Sequence, residues 1–149
     1  MSFLEINNII QTVRALIFGI GYTLWARSAA LDGRFDGEAG LVLLGKSLLV
    51  FIAVTVVIGM LLHILAMIVT IIRGEETHPG EMDERDRIIE ARAMTTGFSF
   101  CGIGFLAASL ALWFGYGAIF AFHALLAGFV AADVLVNLQK FVTYLRQAA

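Results

Sequence analysis

Apolar residues in this chain come in long uninterrupted runs, each ended by a compact polar stretch, and not in the short alternations of a strand or the narrow stripes of a soluble helix. A helix that crosses a bilayer needs about 20 mostly apolar residues. Four runs meet that length and predict spans over about 9–26, 48–72, 93–114 and 118–138. The first is interrupted by Gln11, Thr12 and Arg14, and a central Arg costs about 2.5–3.5 kcal/mol on insertion scales. The second follows Lys46, whose stem is long enough to snorkel to the interface. The third and fourth are divided by "WFGYG", in which two glycines permit a tight turn and Trp113, Phe114 and Tyr116 suit the headgroup level. The expectation is an all-α membrane protein: a four-helix transmembrane bundle of two antiparallel hairpins, a single domain over 1–149. It has an external loop at 27–47 and a cytosolic loop at 73–92.

A rival reading makes the start a cleaved signal peptide, with "LIFGIGYTLWA" as its apolar core and "RSAA" as its cleavage region. Glu5 and Arg14 together leave no positive leader, which favours retention. Orientation follows from Lys and Arg in the connections. With four spans one side carries Arg73, Arg85, Arg87, Arg92, Lys140 and Arg146, and the other carries Arg27, Arg34 and, at its margin, Lys46. That excess places both termini in the cytoplasm of a cell whose inner membrane holds the protein.

Composition agrees with the runs: 60% of the 149 residues are hydrophobic and 15% charged. A mean hydropathy of +0.89 belongs to a bilayer protein. The net charge of −2 and the lack of a basic run interleaved with aromatics exclude nucleic acid as a partner. The single cysteine, Cys101, has no partner for a disulfide or a CxxC site.

Half of the charged side chains, 11 of 22, fall within the 20 residues from Arg73 to Arg92. Here "RGEETHPGE" halts the second helix, and Asp83 is placed to cap a new one, with Glu84 and Asp86 favoured in its first turn by the helix dipole. Asp83 with Arg87, and Arg87 with Glu90, stand at pairing distance. No breaker follows, so the box is expected to run into the third span as a cytosolic stalk. Its simplest use is to solvate a helix end and fix topology. A sharper use is docking a partner through Asp83, Glu84, Arg85, Asp86, Arg87, Ile88, Glu90 and Arg92, which combine charge specificity with an apolar anchor. A third would hold Ca²⁺ or Mg²⁺ with His78, Glu81, Asp83, Glu84 and Asp86, but the spacing matches no EF-hand loop, and no metal or other cofactor is expected.

"DERDRIIE" at Asp83–Glu90, followed by a small-residue span and a second span with a polar tail, resembles the DERD-box proteins, small prokaryotic multi-pass membrane proteins of unknown function. The resemblance covers the second half of the chain. It implies a helical membrane domain with the box in the cytosol and transfers no catalytic residue.

In the third span Gly97, Cys101, Gly104, Ala108, Ala111 and Gly115 form a stripe at heptad spacing. Gly117, Ala121, Ala124, Gly128 and Ala131 repeat it in the fourth. Spans in lipid associate through close van der Waals contact, which small residues allow. The stripes therefore predict a tight hairpin of spans three and four. The alternative gives one stripe to a homodimer or higher homo-oligomer while the other faces span two.

Arg14, His63, His123 and Asp133 are ionisable groups within spans, where they face protein or water. Counting about 1.5 Å per residue puts Arg14 about 16 Å below Trp25 and Asp133 about 24 Å below Gly117. The long Arg side chain bridges the difference, and an Arg14–Asp133 pair closing span one on span four is expected. Asn7 and Gln11 continue one polar face, and Asn137, Lys140 and Tyr144 the other. No GxSxG elbow, HExxH or P-loop is present, so no enzyme is expected. The sequence thus favours a regulatory or accessory subunit that binds a membrane or cytosolic partner. A small oligomeric ion or proton channel or transporter is the alternative.

Overall fold

The computed structural model describes residues 3–74 and 82–148. They form four helices, α1 (Phe3–Leu31), α2 (Gly37–Ile72), α3 (Glu84–Trp113) and α4 (Gly117–Ala148), and no strand among the described residues. Each is long and apolar enough to cross a membrane. The chain is thus an all-α four-helix bundle, with the features of a multi-pass membrane protein whose apolar helix faces meet lipid.

The helices outrun their apolar windows. The connection expected at 27–47 shrinks to Asp32–Asp36, because α1 continues to Leu31 and α2 already begins at Gly37. The tight turn depends on glycine. Gly33 and Gly37 hold φ of +69° and +66°, a region that costs other residues strain. At Gly40 a β-carbon would lie 2.0 Å from the Phe35 carbonyl carbon, so only glycine lets the turn fold against α2. Phe35 is thereby buried with Tyr22, Ala26, Ala29 and Leu44, which make the core at this end of the bundle. At 36 residues α2 is about 54 Å long, well beyond a hydrocarbon thickness of about 30 Å.

Toward the other end α2 stops at Ile72, before Pro79 and Gly80, which lie outside the described residues. Helix α3 starts with a reciprocal cap. Asp83 Oδ1 accepts from the Asp86 backbone N–H at 2.7 Å, and Asp86 Oδ2 accepts from the Asp83 N–H at 3.2 Å. From there α3 is continuous to Trp113. Gly115 and Gly117 then turn the chain with φ of +79° and +77°.

In space the helices follow the order α2, α1, α4, α3. Helix α3 packs on α4 along its length, α4 on α1, and α1 on α2; α2 brushes α4. Among the described residues α3 touches no other helix than α4. The α3–α4 contact is closest where two glycines oppose: a β-carbon on Gly104 would lie 2.8 Å from Gly128 Cα, and one on Gly128 would lie 2.6 Å from Gly104 Cα. Gly97 meets Val136, and Ala111 and Ala121 are buried on the same seam. Cys101, Ala108 and Ala124 are half-buried. Gly115 and Gly117 are exposed turn residues and do not belong to the seam. On α4 the seam continues through the buried Ala132 and Val136, and Ala131 instead borders the groove between α4 and α1. Since lipid offers no hydrophobic drive for helix pairing, this backbone approach is what joins the second hairpin.

Candidate functional site

Three helices bring polar side chains together in the half of the bundle that holds the termini. The first contributes Asn7, Gln11 and Arg14, spaced +4 and +3 so that they share one face. Arg14 is the hub. Its Nη2 donates to Asp133 Oδ2 of α4 at 2.6 Å, its Nε to Gln11 Oε1 at 2.8 Å and its Nη1 to the Thr55 carbonyl of α2 at 3.0 Å. Gln11 in turn donates to the Gly59 carbonyl at 3.2 Å and, more weakly, to Asn7 Oδ1 at 3.5 Å. His63 Nδ1 donates to the same Asn7 oxygen at 3.1 Å and rests edge-on against Phe3. On the far side Asn137 donates to both the Asp133 backbone oxygen and its Oδ1, at 2.8 and 2.9 Å. The chain of bonds from His63 to Asn137 thus ties α2, α1 and α4 together.

The reason is the low dielectric. A lone guanidinium or carboxylate among apolar side chains is costly, and pairing removes most of that cost while hydrogen bonds satisfy the remaining donors. The ion pair is unevenly covered, with 12% of the Arg14 side chain exposed against 39% of Asp133. The residues at Thr55 and Gly59 carry no charge and act through their backbone, so side-chain chemistry gives no signal for them. Gly59 is the partial exception. A β-carbon there would stand 3.4 Å from Arg14 Cζ, and the bare glycine lets the guanidinium lie against α2.

Two cavities flank this hub. One of about 390 Å³ is bordered by Gln11, Arg14, Gly59 and His63. The other, about 330 Å³, lies between α1, α2 and α4, with Arg14, Thr55 and Asp133 on one wall and Phe18, Phe51 and Phe129 among its apolar walls.

His123 stands apart from the cluster. Its Nδ1 donates to the Ile119 carbonyl at 2.7 Å, which leaves Nε2 as the acceptor. Nε2 is buried without a partner, and the ring lies beside Tyr22 and Phe35. His63 and His123 have separate partners: the first joins Asn7 and the second joins its own helix.

The charged box divides its residues between two faces. Asp86 and Glu90 turn toward the end of α4, where Tyr144 Oη donates to Asp86 Oδ1 at 3.0 Å and Lys140 Nζ meets Glu90 Oε2 at 2.5 Å. Lys140 and Tyr144 therefore serve α3 and do not extend the Arg14 cluster as their spacing suggested. The within-helix partners expected for Arg87 are engaged elsewhere, Asp83 in the cap and Glu90 across the seam. Burial first, then the hydrogen bond to Asp86 and the negative charge of Asp86, Glu90 and Asp83, push the Tyr144 phenol well above its ordinary value. Ile89 is buried against α4. Outward, beyond the cap, stand Glu84, Arg85, Arg87, Ile88 and Arg92, all exposed. Of the ligands considered for a cation, His78 and Glu81 lie outside the described residues. Among the described residues no group of His, Cys, Asp and Glu converges on a metal position.

Comparison with protein-family models, with curated proteins and with solved structures finds no match.

Proposed function

We propose that the protein is a non-enzymatic accessory subunit of the inner membrane, with both termini in the cytoplasm, that holds an acidic partner protein against the outward face of α3. One observation carries this reading: the box keeps Asp86 and Glu90 on the α4 side and leaves three arginines exposed, with Glu84 and the capping Asp83, around Ile88, which is 50% exposed. A charged rim around an apolar anchor gives orientation and specificity to a contact. The seam to α4 and the cap at Asp83 support a rigid presentation of that face. The DERD-box resemblance at Asp83–Glu90 supports a cytosolic setting for it.

A photo-crosslinker in place of Ile88 tests the reading, combined with Arg85→Ala, Arg87→Ala and Arg92→Ala. The expected result is one captured protein whose cross-linked segment is acidic, lost in the triple variant and weakened by added salt as the Debye length shortens. An identical set of captured species from both forms would refute the role.

A second reading, ion or proton passage using Arg14, His63, His123 and Asp133, draws support from the bonded chain His63–Asn7–Gln11–Arg14. It is the weaker because the chain ends at the Arg14–Asp133 pair. From Asp133 toward the α3–α4 turn the next ionisable group on α4 is His123, ten residues or about 15 Å away. A proton flux in liposomes abolished by Asp133→Asn would reverse this preference.

A further inference from the structure

The cavity of about 330 Å³ between α1, α2 and α4 falls within the range of small-molecule sites, which run from about 300 to 1,000 Å³. Because α2 and α4 barely touch, it lies where the first hairpin meets the second, within reach of solutes dissolved in the bilayer. Its walls carry the rings of Phe18, Phe51 and Phe129, and its polar side is formed by Asp133 and Arg14. These two charges are not equally available. All three guanidinium nitrogens of Arg14 already donate, to Gln11, Thr55 and Asp133, and its side chain is largely covered. Asp133 is more than three times as exposed, and each of its carboxylate oxygens takes one side-chain donor, Oδ2 from Arg14 and Oδ1 from Asn137. An ionised carboxylate has about four acceptor positions, so capacity remains. Of the paired charges the carboxylate is the more exposed and so the one open to a ligand, and aromatic faces also attract cations.

We propose that this cavity binds a lipophilic organic cation, an ammonium or phosphonium centre on an apolar body, held by the Asp133 carboxylate and the rings of Phe18, Phe51 and Phe129. A diffuse cation of this kind loses little hydration on entering an apolar site, whereas a small metal ion needs more oxygen ligands than the cavity offers. The site is separate from the outward face of α3, and the two proposals stand or fall independently.

Tetraphenylphosphonium and tetraphenylborate, alike in shape and opposite in charge, form the test, with the full-length protein in a neutral detergent and binding followed by equilibrium dialysis. The phosphonium should bind saturably and at least about tenfold more tightly than the borate, with Asp133→Asn removing at least about tenfold of its affinity. Phe129 and Ile52 both line the cavity and are exposed, so changing them leaves the bundle intact. Phe129→Ala should weaken phosphonium binding severalfold, and Ile52→Trp, which narrows the cavity, should weaken it at least about tenfold. Should Asp133→Asn fail to fold, the latter two variants decide. Equal binding of the two ions, tighter binding of the borate, or phosphonium affinity unchanged by Ile52→Trp would each overturn the proposal.

Discussion

Arg14 and Asp133 lie 119 residues apart in sequence and 2.6 Å apart in the fold, and their bond adds a polar tie to the packing of α1 on α4. Asp133→Asn leaves the guanidinium with a weaker acceptor, Arg14→Gln leaves the carboxylate with a weaker donor, and the double variant removes both charges. Because the carboxylate is partly exposed and polar contacts within membranes average well under their vacuum strength, a coupling of about 1 kcal/mol is expected. Unfolding of the four forms in mixed micelles measures it, and strictly additive losses would show that the pair contributes nothing. Tyr144 offers a second test. Its folded pKa is raised above the ordinary value of 10, so the stability linked to it is complete below about pH 10 and lost as pH climbs toward the folded value. Absorbance titration of Tyr144→Phe should show one late-ionising phenol fewer than the parent.

At the scale of the element, the seam between α3 and α4 is decided by where a β-carbon would go. Gly104→Ala forces backbone apart at Gly128 and is expected to cost about 1–3 kcal/mol, whereas Gly102→Ala meets open space and should stay within about 0.5 kcal/mol of the parent. Equal effects of the two on thermal unfolding in detergent would place the contact elsewhere. The heptad recurrence of Gly97, Gly104 and Ala111 makes this seam legible in the sequence, as depth counting along two spans does for Arg14 with Asp133. Other features could not be read that way. Gly37 to Lys46 holds three glycines, Glu38 and Lys46 around a short Leu-rich run, too little to count as part of a span, yet it is helical and its Gly40 packs beneath Phe35. Likewise Asp133, Asn137, Lys140 and Tyr144 share one stripe of α4 by spacing. Only the seating of α4 between two neighbours assigns the first two to α1 and the last two to α3.

For the whole molecule, the order α2, α1, α4, α3 brings the start of α1, the end of α2, the capped start of α3 and the end of α4 to one end of the bundle. The excess of Lys and Arg at that end supports its placement in the cytoplasm. A cysteine at the exposed position Glu84, introduced beside Cys101→Ala, tests this. It should resist an impermeant maleimide in intact cells and react in inside-out vesicles; labelling of intact cells would invert the faces.

Among the described residues that same ordering leaves α4 as the one helix packed on the third. A load applied to the arginine-bearing tip of α3 and carried through helix contacts reaches the first hairpin by tilting or sliding α4. The chief polar fastening met on that route is the one between Asp133 and Arg14. Weakening that fastening would let the two halves move as separate bodies while each kept its own internal grip.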